Sequence, residues 1–292
     1  MKLKAFYVII MIICITLAGC SESNEKGNDN ATAHQQRIIS LMPSNTEILY
    51  ELGLDKQIVG VSSADDYPKD VKQKKQFDAF NLDKEALLKA KPDLILAHES
   101  QRGTSSKVLD ALDKKGVKVV YIKDATSINE MYDTFSDIGR LTHKEKAANQ
   151  LIDETKRNIK KVIQSVPKDE KRKNVFIEVS SKPDIYTAGH QTFFDDMLQK
   201  LNAKNSFHDK KGWVKTDKEA IIKRNPDIII NTSGSSNQAF QKLINSRSGF
   251  DKVEAVKNKE IKSINGDEIS RPGPRIDDGL KTLRDAIYKQ SK

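Results

Sequence analysis

At 292 residues the chain is too long for one small module and suits two domains of about 100–150 residues each. Charged residues make up 31% and hydrophobic residues 37%, a balance that excludes a disordered chain and a polytopic membrane protein. Lys and Arg outnumber Asp and Glu by 50 to 41, a net charge of +9, yet no Arg-rich, aromatic-interleaved stretch occurs, so nucleic acid is not an expected partner.

The N-terminus reads as an address. Lys2 and Lys4 precede the uncharged run Ala5 to Leu17, which is too short to span a bilayer core of about 30 Å. Leu17-Ala18-Gly19-Cys20 follows and resembles a bacterial lipobox, so residues 1–19 are expected to be a lipoprotein signal peptide and Cys20 the lipidation site. The other cysteine, Cys14, would leave with the signal, so the mature chain has no disulfide and no cysteine metal site. Residues 20–36, rich in Ser, Asn, Gly and charge, predict a flexible tether.

From Arg37 onward the pattern is βαβα. Arg37–Met42 predicts a strand, and Ser44-Asn-Thr-Glu47 predicts a capping box opening a helix that Gly53 stops. Ile58–Val61 predicts a strand, Asp83 a helix cap, and Leu94–Ala97 a strand apolar on both faces, as parallel sheets require. Lys107–Lys115 and Val117–Ile122 continue the alternation, which predicts an α/β fold.

The chain then repeats itself. Residues 82–97 and 216–231 match at eight of sixteen positions, and four more are Leu/Ile exchanges. Two copies predict two similar Rossmann-like lobes rather than a solenoid. Between them, Thr142 to Val166 shows helical periodicity with Thr142 and Glu145 as a capping box, predicting one stiff helix of roughly 37 Å. The expected organisation is an N-terminal lobe over 37–140, a connecting helix over 141–167 and a C-terminal lobe over 168–292, with a ligand cleft between the lobes. Ligands of open α/β sheets sit beyond the carboxyl ends of strands, which selects the segments after Met42, Val61, Ala97, Val179, Ile230 and Ile264.

No nucleophile elbow, dinucleotide fingerprint, phosphate loop or zinc helix motif occurs, and the five histidines lack metal-ligand spacing, so no enzyme and no protein metal site is expected. Arg37–Glu47, Gly60-Val61 with Asp66-Tyr-Pro68, Asn81-Leu82 before Lys91–Leu94, Asp124–Ile128 and Arg271-Pro-Gly-Pro-Arg275 resemble the helical-backbone substrate-binding proteins of ABC importers, the class that delivers cobalamin and ferric siderophores. The likeness runs from about residue 37 to 288.

That resemblance implies a monomeric, lipid-anchored receptor on the extracytoplasmic face of the cell membrane. Its partners would be a permease dimer with its ATPase and a small metal chelate, either a ferric siderophore or a corrinoid. No cofactor is intrinsic, because the metal arrives within the chelate. Glu85 and Glu219, one per lobe, match the permease-docking glutamates, and both also sit where a helix macrodipole favours an acid. Trp213, Tyr186, Phe80, Phe77, His98, His190 and Arg271 are the candidate ligand contacts, with Arg271 suited to gripping a carboxylate or phosphate and Arg275 to a structural role. His98 and Ala64 stand where cobalamin-binding members carry Trp and Tyr. The alternatives are a haem or free-metal-ion receptor and, in another class, a secreted hydrolase.

Overall fold

The computed structural model describes residues 35–288, so the signal segment, Cys20 and nearly all of the tether lie outside the described residues. Residues from Gln36 onward form one compact unit. No helix among the described residues is long and apolar enough to cross a membrane.

The first lobe runs β1 (Ile38–Ser40), α1 (Pro43–Glu51), β2 (Ile58–Ser62), β3 (Gln76–Phe77), α2 (Lys84–Lys89), β4 (Leu94–His98), α3 (Ser106–Asp113), β5 (Lys118–Ile122) and α4 (Ile128–Leu141). Its five strands are all parallel, in the order β3-β2-β1-β4-β5. The connecting helix is α5 (Glu145–Gln164). The second lobe follows with β6 (Asn174–Ser180), β7 (Ile185–Ala188), α6 (Phe193–Lys200), β8 (Lys204–Asn205), β9 (Trp213–Thr216), α7 (Lys218–Arg224), β10 (Ile228–Asn231), α8 (Asn237–Asn245), α9 (Glu254–Lys257), β11 (Ile261–Ser263), α10 (Gly266–Ser270) and α11 (Ile276–Ile287). Here the order is β11-β10-β6-β7-β9, with β8 also on β6 and with β7 antiparallel to both neighbours.

The two sheets are separate, and the repeat explains why they look alike. In both copies an aspartate caps the helix: Asp83 accepts from the Glu85 and Ala86 N–H groups, and Asp217 from Ala220 N–H. Each helix ends at a residue in the left-handed region, Lys91 (φ 48°) and Asn225 (φ 42°). The aspartate after each proline then accepts an N–H at the start of its lobe's first strand, from Arg37 just before β1 to Asp93 and from Asn174, the first residue of β6, to Asp227, both at 2.7 Å. These are the same local solutions used twice.

Strand periodicity sorts the apolar side chains into three cores. Ile38, Leu94 and Leu96 of the first sheet and Val175, Ile177, Ile228 and Ile230 of the second enter one central cluster with Ala148, Ile152, Ile159 and Val162 of α5. Their alternating neighbours Ile39, Ile95 and Ala97, and Phe176 and Ile229, fill the outer core of each lobe. One apolar core therefore runs through both lobes and the connecting helix.

Two capping boxes read from the sequence are absent. α1 starts two residues earlier, with Pro43 in its first turn and Met42 as N-cap, so Ser44 lies inside the helix and no side chain caps it. Thr142 closes α4 instead of opening α5: its hydroxyl donates to Ile138 O at 2.7 Å, and α5 begins after Lys144 without a side-chain cap. The helix is correspondingly shorter, twenty residues or about 30 Å.

Candidate functional site

A cavity of about 270 Å³ lies between the lobes. The first lobe supplies Met42, Ser44 and Asn45 after β1, His98 at the end of β4, and residues 123–126 after β5. These are carboxyl ends of parallel strands around the point where the order reverses between β1 and β4, as the crevice rule requires. The second lobe contributes differently. Its wall is residues 191–194 ahead of and opening α6, Gly212 and Trp213 at the start of β9, and Ser270 with Pro272 after α10. Because β7 and β9 run antiparallel to their neighbours, the wall does not come from the carboxyl ends of β6 and β10. The segments expected after Ile230 and Ile264 line a separate groove, Thr232–Asn237 and Ser263–Asp267.

Trp213 is the exposed aromatic of this cavity. It is 60% exposed and meets the buried Phe194 edge-on, with ring centroids 5.8 Å apart. Tyr186, 38% exposed, stands on β7 opposite Lys215, while Ala188 stands opposite Trp213, which puts Tyr186 and the indole on one face of the β7–β9 pair. Lys215 is in turn held by Asp184 at 2.7 Å.

His98 lines the cavity and is held at both ring nitrogens. Nε2 lies 2.5 Å from Asp124 Oδ1 and Nδ1 lies 2.8 Å from Ser100 Oγ. Its backbone N–H donates to Gln101, whose amide and the Ser105 hydroxyl both donate to Ala79 O. These bonds fix the loop carrying Phe80, which is 65% exposed and outside the cavity lining.

Three candidates are placed elsewhere. Phe77 is 5% exposed and belongs to the outer core of the first lobe, its ring pressed against the Cα of Gly60, where a Cβ would lie 2.4 Å from the ring. It is a packing residue and not a ligand contact. Arg271 does not offer a free guanidinium: it binds Asp66 at 2.6 Å, Asp267 at 3.2 Å and Glu47 at 3.4 Å. His190 bonds His208 O through Nδ1 at 3.0 Å and stacks near the His208 ring, beside the cavity but not in its lining. Glu85 and Glu219 are both exposed in the first turns of α2 and α7, and neither makes an ion pair with a described residue.

The sequence reading missed Asn45, Lys123, Asp124 and Phe194 as cleft residues. A signal for Asn45 existed, since Pro43 directly after a strand end marks a helix start and so puts Asn45 in its first turn. Arg275, by contrast, is structural: Nε and Nη2 grip Glu47 at 2.9 and 2.6 Å, and its guanidinium lies 3.9 Å from the Tyr67 ring centroid. Asp65, nearby, has its carboxyl pushed up by burial, with the Ser62 hydroxyl and amide that donate to it pulling the other way. No group of three or more His, Cys, Asp or Glu among the described residues is placed to hold a metal ion.

An uncharacterised ABC transporter substrate-binding lipoprotein of Bacillus subtilis is 37% identical over 98% of this chain and 98% of its own. A vitamin B12-binding protein of Pectobacterium atrosepticum is 28% identical over 84% of this chain and 86% of its own. The crystal structure of a possible iron-binding, periplasmic solute-binding protein from Staphylococcus epidermidis superposes with a TM-score of 0.82 at 66% identity, covering 87% of this chain and 99% of that one. Residues 38–268 match the model of the periplasmic binding protein family, and the chain belongs to that family of non-enzymatic binding proteins.

Proposed function

We propose that the protein is the substrate receptor of an ABC importer, anchored on the extracytoplasmic face of the membrane through lipid on Cys20, and that it captures a metal chelate between its lobes. The observation that carries this reading is the cavity walled by both lobes with an exposed indole, Trp213, braced edge-on by Phe194. Flat aromatic surface suits a corrin ring or the ligand shell of a ferric siderophore. At about 270 Å³ the cavity lies at the small end for ligand sites, so a chelate of that size inserts one flank and extends past the indole. The likenesses to an ABC substrate-binding lipoprotein, a vitamin B12-binding protein and a possible iron-binding protein support the importer and the chelate. Glu85 and Glu219, exposed at equivalent places in the two lobes, are the proposed contacts to a twofold permease.

Trp213 is the chain's one tryptophan, so its emission reports the cleft. Titration with cyanocobalamin and with catecholate, hydroxamate and carboxylate ferric siderophores is expected to give saturable quenching by one class. No response to any of them overturns the reading.

A further inference from the structure

The start of α1 is left open toward the cleft. Met42, its N-cap, offers no polar side chain, Pro43 has no N–H, and no side chain caps the turn. The Thr46 N–H is the first to bond back, to Met42 O at 3.1 Å, which leaves the Ser44 and Asn45 amides at the positive end of the helix. A second, independent feature sits in the same turn. Asn45 is 1% exposed and is one of the residues lining the cavity, and its Nδ2 is buried without a hydrogen-bond partner among the described residues. An amide donor left this way costs about 1–3 kcal/mol, so nothing in the unliganded fold favours it.

We propose that the first turn of α1 and the Asn45 amide form a subsite for an anionic oxygen of the ligand, a carboxylate or a phosphate. The inference rests on the receptor reading above and narrows it to chelates that present such an oxygen. The surrounding charges agree. Lys123 lines the same cavity, the first turn of α1 contains no acid, and Glu47 one turn on is neutralised by Arg275. The carboxylate that does line the cavity, Asp124, is held by His98. An oxyanion satisfies the orphan donors and the macrodipole together, whereas an ammonium or an apolar group leaves both unmet.

Asn45→Leu separates this role from a structural one. It removes an unpaired donor at nearly constant shape, so the melting temperature is expected to hold or rise. Two matched pairs of probes distinguish the sources of the anion: cyanocobalamin, which carries a phosphodiester, against dicyanocobinamide, which lacks it, and ferric citrate against the uncharged ferrichrome. Wild-type protein is expected to favour the member that presents the anionic oxygen, in the pair it binds, by about ten- to a hundredfold, and Asn45→Leu to lose that preference. Phosphate or citrate alone is expected to raise the melting temperature of wild type and not of the variant. If wild type binds a chelate and the variant keeps the same affinity and preference, the subsite is refuted while the receptor reading stands. If no chelate binds but free anions still stabilise only the wild type, the subsite stands and the receptor reading falls. A lower melting temperature for Asn45→Leu without ligand, or equal anion stabilisation of both proteins, assigns Asn45 a structural role and overturns the proposal.

Discussion

The lobes face each other across two surfaces of opposite character. At the seam, polar groups are paired. Glu47 of the first lobe receives a two-point grip from Arg275 of the second, Arg271 bridges to Asp66, Asp196 accepts the Ile128 N–H at 2.9 Å, and the central apolar core passes beneath. At the cleft, by contrast, a helix start is uncapped, a buried amide has no partner, and a large indole stands in solvent. The difference shows how a two-lobed receptor divides its interface. Paired contacts hold the seam, and on the proposed function the unpaired groups lie where a ligand would complete them.

The strongest way to break this division lies on neither surface. Reversing both proposed docking acids, Glu85→Lys with Glu219→Lys, is expected to abolish uptake by cells while ligand affinity measured by Trp213 quenching stays unchanged. A parallel loss of affinity would remove the docking role. At the seam, Glu47→Ala leaves the half-buried Arg275 without its ion-pair partner, while Arg271 keeps Asp66 and Asp267, and is expected to cost about 2–3 kcal/mol in denaturant unfolding, below the range for a fully buried pair broken from one side. A cost below about 1 kcal/mol would show that the seam is not held by this network. At the cleft the balance inverts. Trp213→Ala is expected to weaken chelate binding by about 2 kcal/mol, near thirtyfold, the scale of a binding hot spot. Its unfolding free energy should change by less than about 1 kcal/mol, because the ring is mostly exposed and braced only by Phe194.

The smallest expected effect is a pH dependence. Burial holds the Asp65 carboxyl above the usual carboxylate range, so the folded state binds this proton more tightly than the unfolded chain. That contribution is complete below the ordinary carboxylate pKa of about 3.9 and is lost as pH rises through the elevated value. The stability of Asp65→Asn relative to wild type should therefore shift in the variant's favour as pH rises above the ordinary carboxylate range. A gap that moves the other way would mean that the hydrogen bonds from Ser62 outweigh burial.

What could be read in advance follows the range of the interactions. The cap at Asp83 and the strands apolar on both faces depend on neighbours in sequence, and the repeat carries the same cap to Asp217 in the second lobe. Ser44-Asn-Thr-Glu47 has the composition of a capping box, yet Glu47 is drawn to Arg275, 228 residues away, and a proline starts the helix first. Arg271 looked free for a ligand because Asp66 lies 205 positions from it. Phe77 reads equally well as cleft or core in a two-residue strand, and the bare Cα of Gly60 on β2 decides for core. Apart from Trp213, the second lobe's cavity wall was illegible because it comes from the segment opening α6 and the end of α10 and not from the carboxyl ends of the parallel strands the periodicity reveals.

Amide hydrogen exchange, compared without and with the chelate that quenches Trp213, tests the central division most directly. The account predicts new protection at residues 44–46, 123–126 and 191–194 and around Trp213, with seam amides such as Ile128 already protected in the free protein. Protection confined to the groove at 232–237, or a seam that exchanges freely until ligand binds, would contradict it.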